Sequence, residues 1–141
     1  PNSGAHSTEE THIRLVLSGN PHTSAIALAR LADDANQQVR CRVAEHVNVP
    51  VDILAKLAND FSSDVRVSVS ENPKLPASIL ETLARDSCDD VRLGLAHNPH
   101  LCELILKELT NDTNVFVADA AKTTLAAKPG SAMHENLVQR S

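Results

Sequence analysis

Aromatic side chains are almost missing from this 141-residue chain, which has two phenylalanines, no tryptophan and no tyrosine. Platforms on which bases, sugars or planar cofactors stack therefore have almost nothing to be built from. Glycine is scarce as well. Gly4, Gly19, Gly94 and Gly130 lie far apart, so no phosphate-cradling loop can be assembled from them. The three cysteines, Cys41, Cys88 and Cys102, are an odd and scattered set, which suits a reducing compartment better than a disulfide framework. No apolar run is long enough to cross a bilayer, and the segment from Pro1 to Glu10 is too polar for a signal peptide. A cytoplasmic protein that does not enter membranes is the expectation. The net charge of −5 argues against a general polyanion binder.

What the chain does contain is recurrence. Ile13-Arg14, Val39-Arg40, Val65-Arg66, Val91-Arg92 and Val115-Phe116 follow one another in three steps of twenty-six and a last step of twenty-four. A period of this size signals stacked supersecondary units rather than one globular core. Eighteen residues after the first four anchors stand Leu31, Leu57, Leu83 and Leu109, preceded three residues earlier by Leu28, Leu54, Leu80 and Leu106. With Ile53, Ile79 and Ile105 and with Ala32, Ala58 and Ala84, they make an apolar stripe at helical spacing. Pro50 and Pro76 suit a first helical position, where the missing N–H would be unpaired in any case. Polar turn residues follow each helix at 34–36, 60–62, 86–88 and 112–114.

The other half of each unit admits two readings. Ile13 to Leu17 and Val65 to Val69 alternate with period two, as a short strand does. The last copy, Val115 to Leu125, is alanine-rich and reads as helix. An element sandwiched between neighbours can carry apolar Cys41, Val67 or Leu93 without belonging to a sheet, so a short helix is favoured and the strand stays open. Asn20-Pro21, Asn72-Pro73 and Asn98-Pro99 then end that element, asparagine taking a left-handed cap and proline forbidding continuation. The expected organisation is a poorly ordered segment over 1–12, a repeat domain over 13–125 and a tail or cap over 126–141. Pro129-Gly130 breaks the chain before that tail, in which Leu137 and Val138 could support a short capping helix.

The pattern Val-Arg-x-x-Val-Ala-x-Asn-Pro, then Pro, then Leu-x-x-Leu-Ala-x-Asp, resembles the leucine-rich repeat variant family. It is legible in Val91-Arg92-Leu93-Gly94-Leu95-Ala96-His97-Asn98-Pro99 and in Pro76 to Asp86, and the resemblance covers about residues 13 to 125. It implies an all-α fold, a right-handed α-solenoid of about five short two-helix repeats akin to HEAT and armadillo arrays, with one helix layer often 3₁₀. A founding member of that family carries a cysteine-bound iron–sulfur cluster. Cys41, Cys88 and Cys102 occupy three different frames of the repeat here and make no close cysteine run, so the cluster is not carried over.

Two polar columns run through the copies. Arg14, Arg40, Arg66 and Arg92 form a ladder that could grip phosphates or an acidic partner. Asp34, Asp60, Asp86 and Asp112 recur in equal number, so the favoured reading is structural, with guanidinium groups joining carboxylates and helix-end carbonyls between copies. Phe116 replaces arginine where the array closes. Asn20, Asn72 and Asn98, with His46 in the second copy, read as a turn column. Among the seven histidines, His97 and His100 straddle a turn and His22 sits in a matching one, so no zinc-ligand spacing is visible. No catalytic constellation, metal or cofactor is expected.

A non-enzymatic protein–protein interaction scaffold is the leading functional expectation. Its partner surface would use positions that differ between copies: Arg30, Lys56, Thr82 and Glu108 in one column, and Glu81 and Lys107, with Ala29 and Ala55, in the next. Nucleic-acid binding is the alternative from a different class, and the acidic balance, the pairing of the ladder and the lack of aromatics all count against it. The residues name neither the partner nor the oligomeric state, and a short array with exposed ends could stack end to end.

Overall fold

The computed structural model describes residues 3–129, with side chains from Thr8 onward. Among the described residues there are nine α-helices and no strand. They are α1 (Ser3–Gly19), α2 (Ala25–Leu31), α3 (Gln37–Glu45), α4 (Val51–Leu57), α5 (Ser63–Ser70), α6 (Ala77–Ala84), α7 (Asp89–Ala96), α8 (Glu103–Leu109) and α9 (Val115–Ala127). The Val-Arg halves are α-helices, as are the leucine halves, and no 3₁₀ layer separates them.

The even-numbered helices follow from their apolar stripe. Leu54 and Leu57 in α4, Leu80 and Leu83 in α6, and Leu106 and Leu109 in α8 are buried together with Ile53, Ile79 and Ile105. Pro50 and Pro76 sit one position earlier than expected, at the N-cap, with φ −63° and −71°. Their ring-fixed φ suits that extended corner, and their carbonyls accept from Ile53 and Leu54, and from Ile79 and Leu80.

The odd-numbered helices after α1 begin at a shared kind of turn. Asp34, Asp60, Asp86 and Asp112 each accept, at 2.9 Å on Oδ1, the backbone N–H two residues on, belonging to Asn36, Ser62, Cys88 and Asn114. These four N–H donors are the evenly spaced N-caps of α3, α5, α7 and α9, one full period apart each time. The last copy is therefore in step with the others. Val117, fully buried like Val39, Val65 and Val91, is its anchor, whereas Val115 and Phe116 are exposed in the first turn of α9. Ala118, not Phe116, stands where arginine stands in the earlier copies. The sequence pair Val115-Phe116 imitated the anchor because a first turn and an anchor can both be apolar.

Odd-numbered helices pack in chain order, α1 on α3, α3 on α5, α5 on α7 and α7 on α9, and each of α2, α4, α6 and α8 lies against odd-numbered helices next to it in the chain. One continuous apolar cluster runs from Leu28 to Ala121. Period two in α5 is a product of this double cover: Val65, Ser68, Val69 and Ser70 are buried, and Val67 is half-buried, so a helix loses its polar face. Helix α1 starts at Ser3, since no proline interrupts it and the turn aspartate of the later copies is missing from its sequence. Residues 130–141, with Leu137 and Val138, lie outside the described residues, and α9 ends at Ala127. No described helix is long and apolar enough to cross a membrane.

Candidate functional site

From Arg40 onward, each ladder arginine ties its own turn to the next one. Arg40 donates from Nε and Nη2 to Oδ2 and Oδ1 of Asp60 at 2.9 and 3.2 Å, and from Nη1 to the carbonyls of Asp34 and Ala35 at 2.7 and 3.2 Å. Arg66 does the same with the Asp86 carboxylate, at 2.8 and 3.3 Å, and with the Asp60 carbonyl at 2.7 Å. Arg92 takes the Asp112 carboxylate at 2.8 and 3.2 Å and the Asp86 carbonyl at 2.6 Å, and reaches Asp89 on its own helix at 2.5 Å. Arg14 opens the series, its Nε 2.5 Å from Asp34 Oδ2 and its Nη2 donating to Thr11 at 3.2 Å.

From Arg40 to Arg92, the arginine thus uses the carbonyl of the aspartate just before its own helix and the carboxylate of the aspartate that opens the next odd-numbered helix. The second relation was not visible in the sequence, although the equal spacing of the two columns allowed it. Two-pronged geometry of this kind matches a planar guanidinium and is lost on lysine. The pairs are sheltered, Arg40 and Asp60 side chains being 5% and 8% exposed. Phe61 adds its ring, with the Arg40 Cζ 4.8 Å from the centroid. Arg92 beside Asp112 holds that carboxyl below its ordinary range, and Asp112 in turn raises the Arg92 value. Asn114, and then Arg92, lower Asp89.

The turn column works through its side chains. Asn72 Oδ1 accepts from the Lys74 N–H at 2.8 Å, while its Nδ2 donates 2.8 Å to the carbonyl of Ala44 in the preceding unit. Asn20 and Asn98 accept in the same way from His22 and His100. His46 reproduces both bonds: Nδ1 accepts from the Asn48 N–H at 3.0 Å, and Nε2 lies 2.7 Å from the Asn20 carbonyl. That combination requires the proton on Nε2. Thr124 extends the series, donating to the Ala96 carbonyl at 2.6 Å.

The six residues expected to meet a partner, Arg30, Lys56, Thr82, Glu108, Glu81 and Lys107, are all exposed on even-numbered helices. Lys56 pairs with Asp33 at the end of α2, and Thr82 donates to the Ser78 carbonyl at 3.1 Å. Glu81 and Glu108 both line a groove between α6 and α8, to which Arg85 and the exposed Leu104 also contribute. Arg30 and Lys107 stand on α2 and α8 and do not join that groove. Among the described residues no three His, Cys, Asp or Glu side chains converge as metal ligands would. Burial raises the Cys41 thiol, the opposite of what an activated nucleophile needs. No protein-family model, curated protein or solved structure matches the chain.

Proposed function

We propose that the chain is a right-handed α-solenoid of about five short two-helix repeats, of the leucine-rich repeat variant kind, and that it acts as a non-enzymatic scaffold binding another protein. One observation carries this reading. The recurring arginines and aspartates are occupied in bonds between units, while residues that differ between copies, Arg30, Lys56, Glu81, Thr82, Lys107 and Glu108, face solvent on the even-numbered helices. A stacked array places such side chains on one continuous face, which suits recognition of an extended partner surface. The ladder guanidinium groups donate to carboxylates and carbonyls of the scaffold, so they offer little to phosphate, and the nucleic-acid reading loses its main support.

Affinity capture with the whole chain, followed by identification of bound proteins, tests the reading. Partners retained by the parent chain should be lost when Arg30, Lys56 and Lys107 are changed to glutamate and Glu81 and Glu108 to lysine. Retention of the same partners by that variant would remove the even-numbered face from the proposal.

A further inference from the structure

The two ends of the helix row differ, and the difference follows from which way each position faces. Relative to the buried valine of each odd-numbered helix, the positions zero, three and four residues on face the preceding helix, and the position five on faces the following one. The geometry at α9 agrees with the first half of this rule, since Val117 and Ala121 are fully buried and the helices α9 packs on, α7 and α8, both precede it. Gly94 shows the same orientation from α7, because a Cβ there would meet Ser70 of α5. At α1 the second half is seen: Ser18, five residues after Ile13, is fully buried, and the helices α1 packs on, α2 and α3, both follow it.

Applied to the two ends, the rule gives an open face and a closed one. On α1 the backward positions are Ile13, Val16 and Leu17, which are 57%, 54% and 43% exposed, although Val39 and Val43 at the places of Ile13 and Leu17 are 0% exposed. At the far end the forward position of α9 is Lys122, an exposed charge where Ala44, Ser70 and Ala96 are buried.

We propose that the α1 face is a self-association surface on which a second copy of this chain packs its own α1, antiparallel about a twofold axis. Three observations select this occupant. Head-to-tail stacking would press Ile13 and Leu17 against Lys122, and the ladder could not continue, because Ala118 stands in the arginine place of the last unit. Another unit of the same kind would need an aspartate one full repeat before Asp34 to receive its arginine. Position 8 is threonine, and α1 runs helical through 8–10, where the later units turn.

The third observation is charge. In an antiparallel pair centred between Ile13 and Leu17, Glu9 and Glu10 run beside the C-terminal end of the opposite α1. Arg42 stands there, its Nη1 3.7 Å from where a Gly19 Cβ would be, and all three charged residues are exposed. A twofold contact repeats both the apolar patch and the charge pairing, which closes the assembly at two copies. The patch is small beside the roughly 800 Å² per partner of a standard interface, so association should be concentration dependent.

Sedimentation equilibrium of the whole chain over a wide concentration range tests the proposal. The expected mass rises with concentration and levels off at twice the 15.1 kDa chain mass. Ile13→Glu with Leu17→Glu should weaken self-association at least tenfold and leave the helical circular dichroism and thermal transition in place, while Lys122→Glu should leave the dimer unchanged. Glu9→Arg with Glu10→Arg should weaken it as well, and adding Arg42→Glu should restore it; this set leaves the apolar core untouched. A monomer at every concentration, a dimer indifferent to the α1 changes, or a mass that grows past two copies would each overturn it.

Discussion

A Cβ on Gly94 would lie 2.3 Å from the Oγ of Ser70 and 3.5 Å from its Cβ, so that hydroxyl, held to the Val67 carbonyl, fills the place of a side chain at position 94. Gly94→Ala should therefore destabilise the protein by ~1–3 kcal/mol through overpacking, despite the better helix propensity of alanine. Ser70→Ala removes the obstructing oxygen, whose bond to the Val67 carbonyl lies within its own helix. The double variant should regain the parent stability or exceed it, by about 1 kcal/mol at most from propensity. Urea unfolding of the four proteins measures this, and an additive pair of effects would contradict the contact.

Arg40 and Asp60 are the most sheltered rung. Asp60→Ala leaves a buried guanidinium with only its carbonyl partners and should cost about 3–5 kcal/mol. Arg40→Met should be less harmful in the Asp60→Ala background than alone, which a double-mutant cycle reads directly.

Acid should loosen the ladder at Asp112. Arg92 lowers that carboxyl's value in the folded chain, so the pair's contribution is complete above the unfolded carboxylate value of about 4 and is lost as pH falls through the folded value. The parent protein should lose stability on acidification below about pH 4. Asp112→Asn should be less stable at pH 7 and show a shallower loss over the same range, in denaturation curves taken at each pH.

His46 holds Asn48 and Asn20 with its two ring nitrogens. His46→Ala should cost ~1–3 kcal/mol, since it strands two backbone groups. His46→Asn should recover part of this, because asparagine fills the corresponding place as Asn20, Asn72 and Asn98. Equal destabilisation by both replacements would argue that the ring's volume, not its bonding, is what the turn requires.

Leu83 and Leu28 are both fully buried. Leu83→Ala, in the middle of the row, should cost ~2–5 kcal/mol in global unfolding. Leu28→Ala should lower global stability less, as a terminal unit can open separately, and should instead speed amide exchange in α1 and α2 first. Uniform exchange acceleration along the chain would mean the row unfolds as one block.

Much of the fold was legible because it is written more than once. Leucine pairs three apart, with proline before and aspartate after, mark α4 and α6 without ambiguity. The Val-Arg elements were harder, since α5 is covered on both sides and so has no polar face to set its period. The ladder was legible as two columns. Its wiring was not, for Asp60 serves Arg66 through its carbonyl and Arg40 through its carboxylate, and residue spacing does not distinguish the two. The false anchor Val115-Phe116 had the right chemistry, and burial of Val117 reveals the true register.

From the order of residues come the repeat period, the helical leucine half, the turn aspartates and the scarcity of anything resembling catalytic or cofactor chemistry. These are local or recurrent properties, and a chain that repeats itself states them several times. The helical state of the Val-Arg half, the partner of each arginine, the in-step last copy and the contrast between an apolar α1 end and a charged α9 end emerged from packing. Each depends on which side of a helix another helix covers, and that is a relation between elements that no single stretch of chain contains.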